Sequence, residues 1–143
     1  MKTLQAIFFL LIAMILFAAK SQAQVLVIAN PNVNTNSVSK ADLSKVYTGA
    51  TSQIGGSHVV PALLKQGTIH TDFLTNYVGQ APVSVLVIWR GLVLSGQATM
   101  PRTFDSEEDL VKYVAHTPGA IGYIDKSTPH EGVKSLTVSL SRH

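Results

Sequence analysis

The chain has 143 residues, 46% of them hydrophobic and 13% charged, with no cysteine and a formal charge of +3. This length fits one globular unit. The lack of cysteine excludes disulfides, cysteine-held zinc, iron–sulfur clusters, a thiol nucleophile and a lipid anchor on an N-terminal cysteine.

Residues 1–23 differ from the rest. Lys2 is followed by an apolar run from Leu4 to Ala19, then Lys20-Ser21-Gln22-Ala23, with small residues at 21 and 23. A basic start, an apolar middle and a small-x-small end read as a signal peptide cleaved after Ala23. An uncleaved anchor is the alternative, but the run is short for a hydrocarbon core of ~30 Å. Cleavage removes Lys2 and Lys20, so the basic count falls from 11 to 9 against 8 acidic residues and the charge falls to +1. The mature segment, 24–143, is close to neutral, and its composition gives no reason to expect nucleic acid or an anionic membrane as a partner. An exported, cysteine-free domain without an Asn-x-Ser/Thr acceptor site is most simply periplasmic.

Val25-Leu26-Val27-Ile28-Ala29 reads as a buried strand, broken by Asn30-Pro31-Asn32. Ser39-Lys40-Ala41-Asp42 has the form of a capping box and opens a helix with Leu43, Val46 and Tyr47 on one face, ended by Gly49. The polar stretch from Thr51 to His58 holds Gly55-Gly56 and reads as a turn. Val59 to Leu63 follows as a strand, with Pro61 favouring an edge position.

Gly67-Thr68 starts a second helix with Phe73, Leu74, Tyr77 and Val78 at helical spacing, stopped by Gly79. From Val83 to Leu94 the composition suggests a strand. Pro82 and the spacing of Val85, Ile88, Trp89 and Leu92 suggest a helix, and periodicity alone does not decide. Asp105 is the expected cap of a helix from Ser106 to His116, with Glu107, Glu108 and Asp109 at its positive end. Ala120 to Ile124 and Val133 to Leu140 read as the closing strands. The alternation of strands and helices gives the α/β class.

The strongest chemical candidate is Lys65-Gln66-Gly67-Thr68-Ile69-His70-Thr71, a turn entering a helix. Helix starts present unpaired N–H groups and partial positive charge, which suit an anion. The plainer reading makes Thr68 a helix cap and leaves Thr71 exposed. His58, His70, His116, His130 and His143 show no i, i+4 pair and read as solvated loop residues, so no metal is expected. Glu107, Glu108 and Asp109 read as helix-dipole residues. There is no Gly-x-Ser-x-Gly elbow, nucleotide loop or dinucleotide fingerprint, so neither a catalytic residue nor a cofactor is expected. Trp89 reads as core and Arg90 as a surface residue, with ligand pairing by Arg90 as the alternative. The glycines of Gly119-Ala120-Ile121-Gly122-Tyr123 suggest close backbone packing or, alternatively, a cleft lined by Tyr123.

Taken together, several segments resemble one family. They are the opening strand with Ala29-Asn30-Pro31, the helix ending Val46-Tyr47-Thr48-Gly49, the Gly-Gly-Ser turn before Val59-Val60-Pro61, the Phe73 helix, Trp89, and Thr117-Pro118-Gly119-Ala120-Ile121-Gly122-Tyr123-Ile124. In this order the chain is similar to the substrate-binding proteins of phosphate ABC transporters, in their short form. The resemblance implies a single lobe like one domain of a type 2 periplasmic binding protein, a mixed sheet flanked by helices, and a helical 83–94. It also implies an anion site. In the family an arginine and a Ser-Gly-Thr at a helix start hold phosphate. Here Gly67 and Thr68 match the Gly-Thr, Gln66 replaces the serine, and Ala62 falls where the arginine is expected.

The expected function is therefore non-enzymatic binding of phosphate or another small oxyanion. Gly67, Thr68, Ile69 and Thr71 would donate hydrogen bonds, and Lys65 would supply a cation. Asn30 and Asn32 would complete the site, since ligands of α/β sheets bind beyond strand carboxyl ends. One lobe leaves the ligand half-solvated, so a homodimer or an ABC transporter component would close it. The alternative is an interaction domain without its own ligand that docks on a transporter, sensor or other partner.

Overall fold

The computed structural model describes Gln5 and residues 24–140. The expected leader, 1–23, otherwise lies outside the described residues. Among the described residues there are eight strands: β1 (Val25–Ala29), β2 (Ser37–Ser39), β3 (Gln53–Ile54), β4 (Ser57–His58), β5 (Val60–Leu64), β6 (Arg102–Phe104), β7 (Ala120–Asp125) and β8 (Lys134–Ser139). The helices are α1 (Lys40–Tyr47), α2 (Thr68–Phe73), which runs on into a π-helical turn (Leu74–Val78), α3 (Pro82–Leu94) and α4 (Glu107–His116). No single helix among the described residues is long and apolar enough to cross a membrane.

Six strands form one mixed sheet in the order β2-β8-β1-β7-β5-β6, while β3 and β4 make a separate small hairpin within the expected 51–58 turn. β1 is antiparallel to both of its neighbours. β2 is parallel to β8, and β5 is parallel to β6 and β7. Five strands therefore point one way and β1 alone points the other. The apolar run that predicts β1 places Val27, Ile28 and Ala29 at its buried centre.

Successive residues of a strand face opposite sides of the sheet, and β7 shows what each side demands. A side chain at Gly122 would sit 2.6 Å from Leu110 Cδ2, so glycine lets α4 lie close on that face. On the other face Tyr123 stacks on Phe73 of α2, with ring centroids 4.0 Å apart, and Tyr47 of α1 meets Phe73 edge-on at 4.9 Å. Burying each of these rings is worth about 1.5–3 kcal/mol relative to exposing it. The Tyr47 hydroxyl lies 3.2 Å from Ala62 O and 3.3 Å from Ile121 O, to which it donates. Trp89 Nε1 donates to Tyr47 O at 2.8 Å and pins α3 to the end of α1, which settles Trp89 as core.

Several expectations need correction. Pro61 is interior, because β5 lies between β7 and β6. Val60 N–H bonds Gly119 O on the β7 side, whereas pairing with β6 begins only at Ala62, so the missing Pro61 N–H breaks no ladder bond. Ser106, rather than Asp105, caps α4, its Oγ accepting from Asp109 N–H at 3.2 Å. β2 and β6, three residues each, escape the sequence pattern. Residues 82–94 are helical with Pro82 in the first turn, yet only Val85 and Trp89 of α3 are buried. Val83 and Leu94 remain 71% and 87% exposed.

Candidate functional site

Strand direction decides which expected residues meet. β5 delivers Lys65, Gln66 and Gly67 at its carboxyl end, and α2 starts there. Three helices leave the sheet at this end. Ser39 Oγ caps α1 through Asp42 N–H at 3.0 Å, within a full capping box, and Ser106 caps α4. α2 has Gly67 at its cap position and no side-chain cap. Thr68 is therefore not a cap. Gly67 holds φ 109°, a region glycine tolerates, and nothing lies within 4 Å of where a β-carbon would stand. The first helical bond runs from Thr71 N–H to Gly67 O at 3.0 Å, leaving the N–H groups of Thr68, Ile69 and His70 as the free donors of the turn. Thr68 and Thr71 expose their hydroxyls. The Ile69 side chain is buried, so its backbone alone is available. Lys65 Nζ lies 3.2 Å from an Asp105 carboxylate oxygen, with both side chains largely exposed, and such a pair holds its members weakly.

Asn30 and Asn32 are not part of this cluster. Ala29 faces Ile121, which faces Pro61, so the carboxyl end of β1 lies beside the amino end of β5. The expectation required β1 to run parallel to β5, and it runs antiparallel. The Asn30 amide is committed at both ends and the Asn32 amide through its oxygen. Asn30 Nδ2 donates to Val114 O at 2.8 Å and Ala115 O at 3.1 Å, and its Oδ1 accepts from Asn32 N–H at 3.0 Å. Asn32 Oδ1 accepts from Gly119 N–H at 2.8 Å. These residues lock the corner between β1, the end of α4 and the start of β7. Ala62 is fully buried in β5 and presents no polar group to the turn.

α2 forms a ridge between two grooves. Asp72, Asn76 and Tyr77 border a polar cleft of about 450 Å³ that also takes Gln24, Lys40 and Lys126. Lys40 Nζ lies 5.0 Å above the Tyr77 ring. On the opposite side of the helix, His70 and Leu74 border a mainly apolar groove of about 490 Å³ against α3 and β6. Sequence reasoning missed Lys40 and Lys126. One follows β2 and the other follows β7, so only the sheet topology brings them to α2.

His70 is not a loop histidine. It is 8% exposed and its Nδ1 lies 2.5 Å from the Tyr123 hydroxyl. Leu64 N–H donates to that same oxygen at 2.9 Å. The tyrosine proton then has one place to go, Nδ1, and the imidazole carries its own proton on Nε2. Burial lowers the His70 pKa from its ordinary value and raises that of Tyr123, so both groups stay neutral. Tyr123 is fully buried and lines no cleft itself, but it orients a residue that does.

Two further candidates play no part in this cluster. Glu107 Oε1 accepts from Asp125 N–H at 2.5 Å and from Thr128 Oγ1 at 2.9 Å, tying α4 to the turn after β7. Arg90 is exposed on α3. Among the described residues no group of three His, Cys, Asp or Glu side chains is placed to hold a metal.

Solved structures carry the same architecture. A phosphate ABC transporter substrate-binding protein from Clostridium perfringens, solved with bound phosphate, superposes with a TM-score of 0.62 at 17% identity. An ABC-type phosphate transport receptor from Vibrio cholerae gives 0.61 at 14%, and PstS from Borrelia burgdorferi gives 0.59 at 18%. The fold is that of one lobe of these binding proteins. The matches cover 84%, 84% and 85% of this chain but 46%, 48% and 49% of the respective structures, so the chain spans about half their length. No protein-family model matches the sequence, and no curated protein matches it.

Proposed function

We propose that the chain is a single-lobe, non-enzymatic solute-binding module, exported to the periplasm, that holds phosphate or a related small oxyanion at the start of α2 in connection with ABC-type transport. The observation that carries this reading is the open turn at Gly67. Of the three helices leaving the carboxyl end of the sheet, α2 alone lacks a side-chain cap, and the space beside its cap residue Gly67 is open. Such a turn attracts an anion through both hydrogen bonds and helix dipole. Thr68 and Thr71 add hydroxyl donors, and Lys65 adds a cation once it leaves Asp105. Two of the solved binding proteins with this fold have phosphate in their names, one with the ion bound, which supports the same class of ligand.

The test is a calorimetric titration with inorganic phosphate and sulfate, using protein recovered from the periplasm of an expressing bacterium. Saturable binding should weaken at least tenfold in Thr68→Val, because a hydrogen bond to a charged group is worth about 1.5–3 kcal/mol. Equal affinity in the variant removes Thr68 from the site, and no heat with either anion at millimolar concentration rejects the reading.

The second reading is docking on a transporter, sensor or other protein partner. It is favoured by α3, whose Val83, Val87 and Leu94 side chains stand in solvent. Partner capture that Val87→Asp abolishes, with no anion binding, would select it.

A further inference from the structure

We infer that the apolar groove between α2, α3 and β6 is a second binding site, built for a small aliphatic carboxylate. The argument rests on how its polarity is distributed. Leu63 of β5 pairs with Thr103 of β6, and Lys65 follows Leu63 by two residues on the same face, so Lys65 and Thr103 sit together at the carboxyl end of these strands. His70 stands at the same end, held over Leu64 through the Tyr123 hydroxyl. Its Nε2–H has no protein partner among the described residues, although the side chain is 8% exposed and borders the groove. No buried side-chain nitrogen or oxygen lacks a partner among the described residues, so this donor keeps access to the groove and is free to bond a ligand acceptor there. At the other end Met100 and Pro101 precede β6, and Leu86 and Trp89 of α3 close over them. The groove thus has a donor-rich head, where a ligand carboxylate would take the place of Asp105 on Lys65, and an apolar body that suits a hydrocarbon chain. Its volume, about 490 Å³, lies in the range of small-molecule sites.

This site lies on the far side of α2 from the polar cleft and shares two residues with the proposed anion turn, Lys65 and His70, the latter there through its backbone N–H alone. Trp89, the only tryptophan in the chain, lines it and reports occupancy directly.

Trp89 fluorescence of the exported protein is titrated with octanoate, decanoate and octanol. The expected result is saturable binding that tightens about two- to fourfold for each added methylene, with octanol at least tenfold weaker than octanoate. Leu86→Asp, at a position 40% exposed and so tolerant of change, abolishes the response without lowering the melting temperature. His70→Gln weakens octanoate and leaves octanol unchanged. Thr68→Val leaves the octanoate titration unaltered, so this inference and the anion-turn reading fail separately. Equal affinity for octanoate and octanol overturns the carboxylate assignment. An unaltered response in Leu86→Asp, or no response to any of the three, overturns the site.

Discussion

The two ends of the sheet use similar residues for opposite purposes. At the amino end of β5, Asn30, Asn32 and Gly119 form a closed corner in which each amide has partners at 2.8–3.1 Å. At the carboxyl end, Gly67, Thr68 and Thr71 are exposed in a turn with no side-chain cap and open space beside Gly67. The two glycines make the contrast sharpest. Gly119 and Gly67 both hold positive φ, at 81° and 109°. A β-carbon at 119 would stand 2.7 Å from His58 O, whereas one at 67 would meet nothing within 4 Å. Polar residues and glycine do not mark a binding site by themselves. What marks one is the absence of protein partners.

Substitutions at the two ends can break or sharpen this contrast. The largest effect is expected from Gly119→Ala, which adds both backbone strain and a clash with a carbonyl that cannot move independently. It should destabilise by about 3 kcal/mol, read as a drop of roughly 10 °C in a thermal melt. Asn30→Ala comes next, at about 2–3 kcal/mol, because it leaves the carbonyls of Val114 and Ala115 without their donor. Phosphate affinity should not change in that variant, and a loss of binding without a loss of stability would return Asn30 to the site. Gly67→Ala has strain but no clash and should cost about 1 kcal/mol. Its main effect should be on phosphate titration, since the added methyl covers the approach to the turn. If Gly67→Ala proves as destabilising as Gly119→Ala, the open turn is not open.

The smallest effect concerns pH. The folded state lowers the pKa of His70 from its ordinary 6.5, so below that pH the unfolded chain binds this proton more readily than the folded one. Stability should therefore decline as pH falls through 6.5 toward the folded pKa. The melting temperature between pH 7.5 and 5.5 should fall less in His70→Gln than in the natural chain.

Much of the fold was legible because it is written locally. The β-branched runs at 25–29 and 120–124, the capping box at Ser39 and the acidic start of α4 each declare an element from neighbouring residues alone. β2 and β6 were not legible because three residues carry no period. α3 was ambiguous because nearly all its residues are apolar, and an apolar helix on the surface breaks the usual link between pattern and burial. The turn at 65–71 was readable as a helix start. The misplacement of Asn30 and Asn32 has one physical cause: the direction of β1 relative to β5 is set by pairing with residues about 95 positions away, such as Val27 with Tyr123, and no local signal encodes it. The same nonlocality hid Lys40 and Lys126 beside α2. His70 was misread because its burial depends on a hydroxyl from β7.

β1 comes first in order among the described strands, yet both strands that flank it, β7 and β8, come after all the others. Until residue 120 is available, neither edge of β1 has its native partner. The sheet therefore cannot close around its central hydrophobic strand until both of these late strands are available. Such a connectivity delays folding through the entropy of a long loop.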